Sequence, residues 1–327
     1  MVTVSADDLE AMIATLRAEV RDPRAGLYGP GSVSWKVDRE AIVLLGGGRA
    51  ALLQLAHPFV AHAIAQHSQT QHDPIGRFRR TFENVFAMVF GDLEHAIGSA
   101  RRVHAIHTKI RGAIDEHVGT FARGARYQAN DEGALFWVQA TLLDTSIQVY
   151  ELVLGELSAE DRERYYRDGR RFSLLFGIPD AAMPPDYPSF QAYMARMLAS
   201  ETITVGRPAR QMRQFLFQPP RRIHTPLAAW YRIFTAGLMP ARLRAQFDLP
   251  FGPAERAVFA ASVPALRTVH RALPKRLRYF PDYVEAMRRM RGQEPRDRVG
   301  RALERIALEA IRPSSAVLER EKLRRAG

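Results

Sequence analysis
The sequence predicts an all-α protein, one helical domain with a basic helical C-terminal extension packed on it. Apolar residues recur at three- and four-residue spacing between recognisable helix caps, and alternating apolar and polar runs bounded by turn residues are nearly absent. A chain of 327 residues, 46% hydrophobic and 25% charged, has the length and composition to bury a sizeable core.

The elements follow in order. Ser5 caps a helix over 6–20, and Pro23, Gly26, Gly29, Pro30 and Gly31 make the loop behind it. Asp38 caps a helix from Arg39 to Leu45, after which Gly46, Gly47 and Gly48 form a flexible joint. From Arg49 to His67 the pattern is helical, with a kink at Pro58. Asp73 followed by Pro74 starts a helix to about Phe90, and Asp92 caps a long helix through Ile114. Asn130 or Asp131 begins the next, which Gly155 stops after Leu154. Ser158 to Asp161 reads as a capping box for a helix to Phe176. Residues 177–188 are a loop, Ser189 to Ser200 is helical, and shorter helices punctuated by prolines fill the remainder.

Composition narrows the chemistry. There is no cysteine, which removes disulfides, cysteine nucleophiles, iron–sulfur clusters and thiolate-ligated haem; a metal must be held by His, carboxylate, Tyr or Met. The acidic start, Met-Val-Thr-Val-Ser-Ala-Asp-Asp, lacks the basic and apolar runs of a signal peptide, and no apolar stretch is long enough to span a membrane, so a cytoplasmic protein is expected. The net charge of +12 belongs to the last third: from Arg207 onward stand 26 Arg or Lys against 10 Asp or Glu, and before it 21 against 25. Arginine in an alanine-rich chain is what a GC-rich genome produces, so no specific nucleic-acid partner is expected. Peripheral contact with an anionic membrane through the tail (Arg288, Arg289, Arg291, Arg320, Lys322, Arg324, Arg325) is the alternative use of this charge. His-Glu-x-x-His, Glu-x-x-His, a P-loop and a Gly-x-Ser-x-Gly elbow are all missing.

Two regions hold polar side chains that need an explanation. On the helix from Pro74, Arg77, Thr81, Asn84 and Met88 share a face with Arg80 beside them, next to an apolar face of Phe78, Phe82, Val85 and Val89. Such guanidinium forks either lie in solvent or clamp a carboxylate. One helix later, His107 shares its stripe with Ala100, Val103, Ile110 and Ile114 and is expected to point inward, where an imidazole must hydrogen-bond or bind metal. His57, His62, His67 and His72 recur every five residues and so do not share a face; His57 is expected to satisfy carbonyls freed by Pro58. Asp144, among Leu142, Leu143 and Ile147, needs a donor such as Arg77, Arg80 or an imidazole N–H.

Six ordered blocks, at residues 46–58, 73–81, 89–92, 103–112, 137–144 and 164–166, resemble the DUF2236 family, which includes latex-clearing rubber oxygenases and the fungal oxygenase that shortens the farnesyl chain of mycophenolic acid. The resemblance runs from about 33 to 240. It divides the chain into an N-terminal helix and loop (1–32), a catalytic domain (33–240) and a basic helical extension (241–327). It implies a globin-like all-α fold, a b-type haem and oxidative cleavage of carbon–carbon double bonds by dioxygen. By the same resemblance His107 is the proximal iron ligand, and Arg77 and Thr81 are distal residues. Arg80 stands where rubber oxygenases can have a lysine, and a guanidinium stays protonated, so a resting iron with an open or water-filled sixth position is expected. Arg77, Arg80 and Thr81 would polarise dioxygen or pair with propionates, Phe82 and Asp144 would line the cofactor, and Phe78, Phe86 and Met88 would help wall the pocket.

The chain departs from the family at two places. No carboxylate lies between Glu40 and Asp73, where a rubber oxygenase keeps its proposed base, and Gln139 replaces a common histidine. Polyisoprene cleavage is therefore not expected. The reading is a haem-dependent oxygenase acting on an apolar, unsaturated isoprenoid- or lipid-like molecule; the alternatives are a non-catalytic haem or apolar-ligand binder and a membrane or nucleic-acid partner working through the tail.

Overall fold
The computed structural model describes residues 2–67, 74–217, 225–294 and 296–310, with side chains described outside 74–79 and 307–310. Asp73, His72, the side chains of Arg77 and Phe78, and the tail residues Arg320, Lys322, Arg324 and Arg325 lie outside the described set. The protein is all-α: sixteen α-helices stand among the described residues, with one antiparallel pair of three-residue strands.

Helix α1 (Ala6–Glu19) begins at a complete capping box, in which the Asp8 N–H donates to Ser5 Oγ and the Ser5 N–H donates to the Asp8 carboxylate. The next helix departs from the sequence reading. Ser32, not Asp38, is the cap: α2 spans Val33–Asp38, and residues 41–46 form a 3₁₀ segment. Burial of Val33, Trp35 and Val37 outweighs the local signal at Asp38, whose carboxylate accepts from the Tyr165 hydroxyl at 2.6 Å instead of capping.

The three glycines are not a joint. Helix α3 (Gly47–Leu55) starts inside them, and a methyl group at Gly46 would lie 2.4 Å from Thr145 Cγ2, one at Gly48 2.3 Å from Thr235 Oγ1. Gly46 and Gly48 are close-approach residues that let α3 lie on its neighbours. Pro58 then breaks the chain as expected, with α4 (Pro58–His67) bent 99° from the preceding 41–55 segment. No helix among the described residues is long and apolar enough to cross a membrane.

Helices α5 (Pro74–Phe90) and α6 (Leu93–Thr108) form a hairpin. The second is shorter than its apolar stripe suggests, because the chain leaves the helix to build a strand pair, β1 (Arg111–Ala113) with β2 (Arg126–Gln128). The Ala129 N–H donates to Ile110 O at 2.9 Å, and Asn130 Nδ2 donates to the Thr108 hydroxyl at 3.2 Å at the helix end.

Helix α7 (Glu132–Leu154) is the centre of the molecule. Asp131 caps it, Gly155 with φ 116° ends it, and its buried residues run all round, from Trp137 and Ala140 to Thr141 and Ile147, as in a helix enclosed by others. Packed on it are α2, α3, α8 (Ala159–Leu174, capped by Ser158) and α13 (Pro253–Ala272). After α8 come α9 (Tyr187–Ala199), α10 (Arg207–Leu216), α11 (Thr225–Leu238) and α12 (Ala241–Gln246). The last helices are α14 (Lys275–Arg278), α15 (Pro281–Met290) and α16 (Arg298–Ala310).

Much of the basic charge late in the chain is used internally. Arg242 Nη2 donates to the carbonyls of Leu198, Ser200 and Ile203 at the end of α9, and Arg289 donates to Phe90 O and Arg24 O. His270 on α13 and the buried Glu40 meet at 2.9 Å. The segment after residue 241 is thus fastened to what precedes it by polar contacts, of which that between His270 and Glu40 is buried.

The half-buried Asp38 gives a test of the packing around α2. Burial pushes its pKa up to about 7 although Tyr165 donates to it. With a folded-state pKa above the ordinary carboxylate value, the fold binds this proton more tightly than the unfolded chain. The resulting stability is full below the ordinary value and is lost as pH rises through about 7. Asp38→Asn, whose amide oxygen can still accept from Tyr165, is expected to gain on the order of 2 kcal/mol over the parent at pH 8 and almost nothing at acidic pH. Urea unfolding at the two pH values measures this; an equal effect at both would exclude a titrating Asp38.

Candidate functional site
Only Gly91 and Asp92 connect α5 to α6, so the two helices run antiparallel. Gly26, at φ 69°, backs this turn so closely that a Cβ there would stand 2.1 Å from Gly91 O. Register along the hairpin is set by Ser99, whose hydroxyl donates to Asn84 Oδ1 at 2.8 Å. Continuing that pairing to the open end sets position 107 level with positions 76 and 77, and places 80 and 81 about one turn farther along α5. The backbone therefore brings His107 to the same end of the hairpin as Arg77, Arg80 and Thr81.

The side chains are disposed less uniformly than the sequence suggests. Arg80 and Thr81 are exposed, while Phe82 is half-buried with its ring edge against Phe86 at 5.4 Å. Phe86 stacks onward to Phe280 of the C-terminal segment at 4.5 Å, and Met88 lies in the core; both are packing residues on the side of α15. His107 is half-buried, with Nδ1 shielded from solvent. It sits at the rim and not in the core, because Ile110 and Ile114 of its expected stripe lie beyond the end of the helix.

A cleft of about 470 Å³ opens beside this end of α6, lined by His57, Phe59, Phe121, Tyr193 and Met197 with Asp131 at its edge. The segment 129–130, just before Asp131, is the one hydrogen-bonded to Thr108 and Ile110, so cleft and hairpin end are tied together. Phe59 and Phe121 stack at 4.8 Å, and each lies within 6 Å of the His57 ring. The Phe59 N–H donates to His57 Nδ1 at 3.3 Å, which leaves the ring proton on Nε2. This corrects the expectation that His57 serves carbonyls freed by Pro58: it accepts from an amide. Burial lowers its pKa to about 4, so it stays neutral and offers Nε2–H as a donor.

Asp144 belongs to a different place. It pairs with Arg49 at 2.6 Å, a donor other than those expected for it, and Arg49 also donates to Thr145 Oγ1 at 2.5 Å and Leu238 O at 3.0 Å. Arg49 is 1% exposed. Both partners were visible in the sequence, a lone cation in an apolar helix and a carboxylate lacking a donor, but only the packing of α3 on α7 joins them. Gln139, which replaces a family histidine, is likewise structural: it donates to Gly169 O and accepts from the Ser173 hydroxyl, bracing α7 on α8.

Periodicity also missed a polar cluster at the foot of α4. His62 is 1% exposed, with Nδ1 donating to Pro58 O and Nε2 2.9 Å from Asp115 Oδ1. Arg207 donates from its side chain to Asp115 at 2.7 Å and from its backbone to Glu116 at 2.8 Å. His62, Asp115 and Glu116 bring their ligand atoms within 4.8 Å of one another, the one such group among the described residues. Arg207 already meets both carboxylates, so the cluster is complete as an ion-pair network joining α4 to α10.

Over 182 residues the chain is 26% identical to the uncharacterized proteins Mb2261 of Mycobacterium bovis and Rv2237 of Mycobacterium tuberculosis, covering 52% of this chain and 69% of each relative. No solved structure matches it. The family model described as ER-bound oxygenase mpaB/B'/rubber oxygenase, catalytic domain, matches residues 35–268, a span holding the α5–α6 hairpin, the apolar cleft and the central α7. The chain therefore belongs to the mpaB/rubber oxygenase catalytic-domain family.

Proposed function
We propose that this protein is a haem b-dependent oxygenase that uses dioxygen on an apolar, unsaturated small molecule of isoprenoid or lipid type. One observation carries the reading beyond family membership: a half-buried imidazole with Nδ1 shielded from solvent lies in the last turn of α6, at the same end of the hairpin as positions 77, 80 and 81 of α5, and the segment after it is hydrogen-bonded to residues that lead into the apolar cleft at Asp131. The donor set suits a porphyrin better than a bare ion. His107 would hold the iron through one imidazole nitrogen, and no group of three His, Asp or Glu donors gathers around it among the described residues. Arg77 and Arg80 would supply guanidinium donors to the propionate carboxylates.

When bound, the haem supplies the iron centre at which dioxygen is activated. The remaining roles belong to this chain. His107 holds the group at the hairpin end, and the rings of Phe59 and Phe121, with Met197, exclude water from an apolar substrate in the cleft. Nε2–H of His57 offers a donor on the cleft wall to a polar atom of the substrate or product. Thr81, exposed on α5, would meet a ligand arriving from solvent.

Reconstitution with haemin decides the matter. The parent protein is expected to show a Soret band that His107→Ala abolishes and Arg80→Ala retains, with the far-ultraviolet circular dichroism of both variants unchanged. A parent without the band, or a His107→Ala protein that keeps it, would sink the assignment. Dioxygen uptake with product formation on a panel of alkenes then separates an oxygenase from a haem carrier.

A further inference from the structure
A second cleft, remote in sequence from the α5–α6 residues and independent of the haem reading, occupies about 490 Å³ between the start of the 41–46 segment, α14 and α15. Its wall carries four cations, Arg39, Lys275, Arg288 and Arg291, and no carboxylate. Carboxylates do stand nearby, but they are committed elsewhere. Asp282 and Glu285 of α15 bind Arg301 at 2.8 and 2.7 Å, and the buried Glu40 is shared by His270, Arg278 and Arg39. Lys275 and Arg291 make no ion pair among the described residues, and Arg288 donates only to a backbone carbonyl, that of Arg296, at 2.7 Å. Like charges gathered on one concave wall repel each other unless an anion joins them.

Arg39 is also held in position. Its Cζ lies 4.7 Å from the ring centre of Tyr279 and 5.4 Å from that of Tyr283, and its Nη1 donates to the Tyr283 hydroxyl at 3.1 Å. Two aromatic rings fix the plane of the guanidinium, so a ligand meets a fork whose ordering cost is already met by the fold. Those tyrosines are anchored in turn, since Tyr283 packs on Trp35 and Phe90 at 5.9 Å. Val284 and Met287 supply an apolar side to the same cleft.

We infer that this cleft binds a phosphate or diphosphate group borne on an apolar body. Arg39, Arg288 and Arg291 present planar donors to the phosphate oxygens, Lys275 adds a point charge at the mouth, and Met287 and Val284 take the adjoining carbon chain. The shared chemistry is the phosphate; its source is a soluble phosphorylated molecule or a lipid headgroup.

Calorimetric titration and thermal shift with pyrophosphate and with dodecyl phosphate below its micelle concentration test the soluble source. Co-sedimentation with phosphatidylcholine vesicles, with and without phosphatidic acid, tests the lipid one. The full chain is used, beside Lys275→Gln/Arg291→Gln, which removes two exposed cations of the cleft, and Arg102→Gln/Arg126→Gln, which removes two exposed cations elsewhere. Saturable binding weakened about tenfold or more in the first variant and unchanged in the second supports the site, because a charge-assisted contact is worth about that much. Binding of pyrophosphate or dodecyl phosphate identifies a soluble ligand; binding confined to phosphatidic acid vesicles, and lost in the same variant, identifies a headgroup. Absence of binding to all of these, or equal loss in both variants, overturns the proposal.

Discussion

Replacing Arg49 by methionine is expected to lower the free energy of unfolding by about 3 kcal/mol, the cost of breaking a buried ion pair. Methionine fills much of the same volume, so the loss is electrostatic. Arg49 is 1% exposed and bonds Asp144, Thr145 and Leu238 O, linking α3 to α7 and to the end of α11. Without it, the Asp144 carboxylate has only a 3.4 Å contact from Gln148 Nε2, partial access to water, and no cation. Adding Asp144→Leu to Arg49→Met is expected to recover part of the loss, because the orphaned carboxylate disappears with it. Urea midpoints of the single and double variants provide the measurement. A drop below about 1 kcal/mol for Arg49→Met would mean that water relaxes the site.

Gly48→Val is expected to cost a similar amount, about 3 kcal/mol, from overpacking together with a lost hydrogen bond. The new Cβ would meet Thr235 Oγ1 at 2.3 Å and the Tyr231 hydroxyl at 3.1 Å, and Thr235 is fully buried, with a branched side chain that has little room to turn. The Gly48 N–H donates to that same Tyr231 hydroxyl at 2.7 Å, so separating α3 from α11 also breaks this bond. A flexible joint would tolerate valine with almost no change in thermal midpoint; a close-approach glycine would not. Gly124→Val is the contrasting case, since Gly124 has open space around it and the positive φ that Gly48 lacks. Its loss reports backbone strain alone.

Helix caps were legible because they are local. Ser5, Asp92, Asp131 and Ser158 each satisfy an amide three residues on, and each sits where the sequence puts it. Asp38 shows the limit of the same rule: it has cap chemistry, but Ser32 starts the helix, and Asp38 receives a hydroxyl from Tyr165, 127 residues away. His107 shows another limit. Its stripe is real, yet a helix ends where its carbonyls find other partners, and Asn130 and Ala129 supply them after Thr108.

The candidate site divides in the same way. That His107 and positions 77, 80 and 81 lie on neighbouring helices is a matter of order and spacing, and the two-residue connection at Gly91 and Asp92 brings their backbone positions to one end of the hairpin. The apolar cleft beside them is assembled from α4, the loop at Phe121 and α9, segments whose proximity no periodicity encodes. The assignment of Asp144 to Arg49 and the gathering of Arg39, Lys275, Arg288 and Arg291 on one wall are of this second kind.

By itself the sequence determined the all-α class, the caps at Ser5, Asp92, Asp131 and Ser158, the break at Pro58 and the family, since each rests on residues within a few positions of one another or on ordered blocks along the chain. Only the tertiary structure decided which polar groups are partners and which face a cleft. The physical reason is that burial turns an isolated charge from nearly costless into prohibitive, and the partner that relieves it is chosen by which helices pack together, not by which residues are neighbours in the chain.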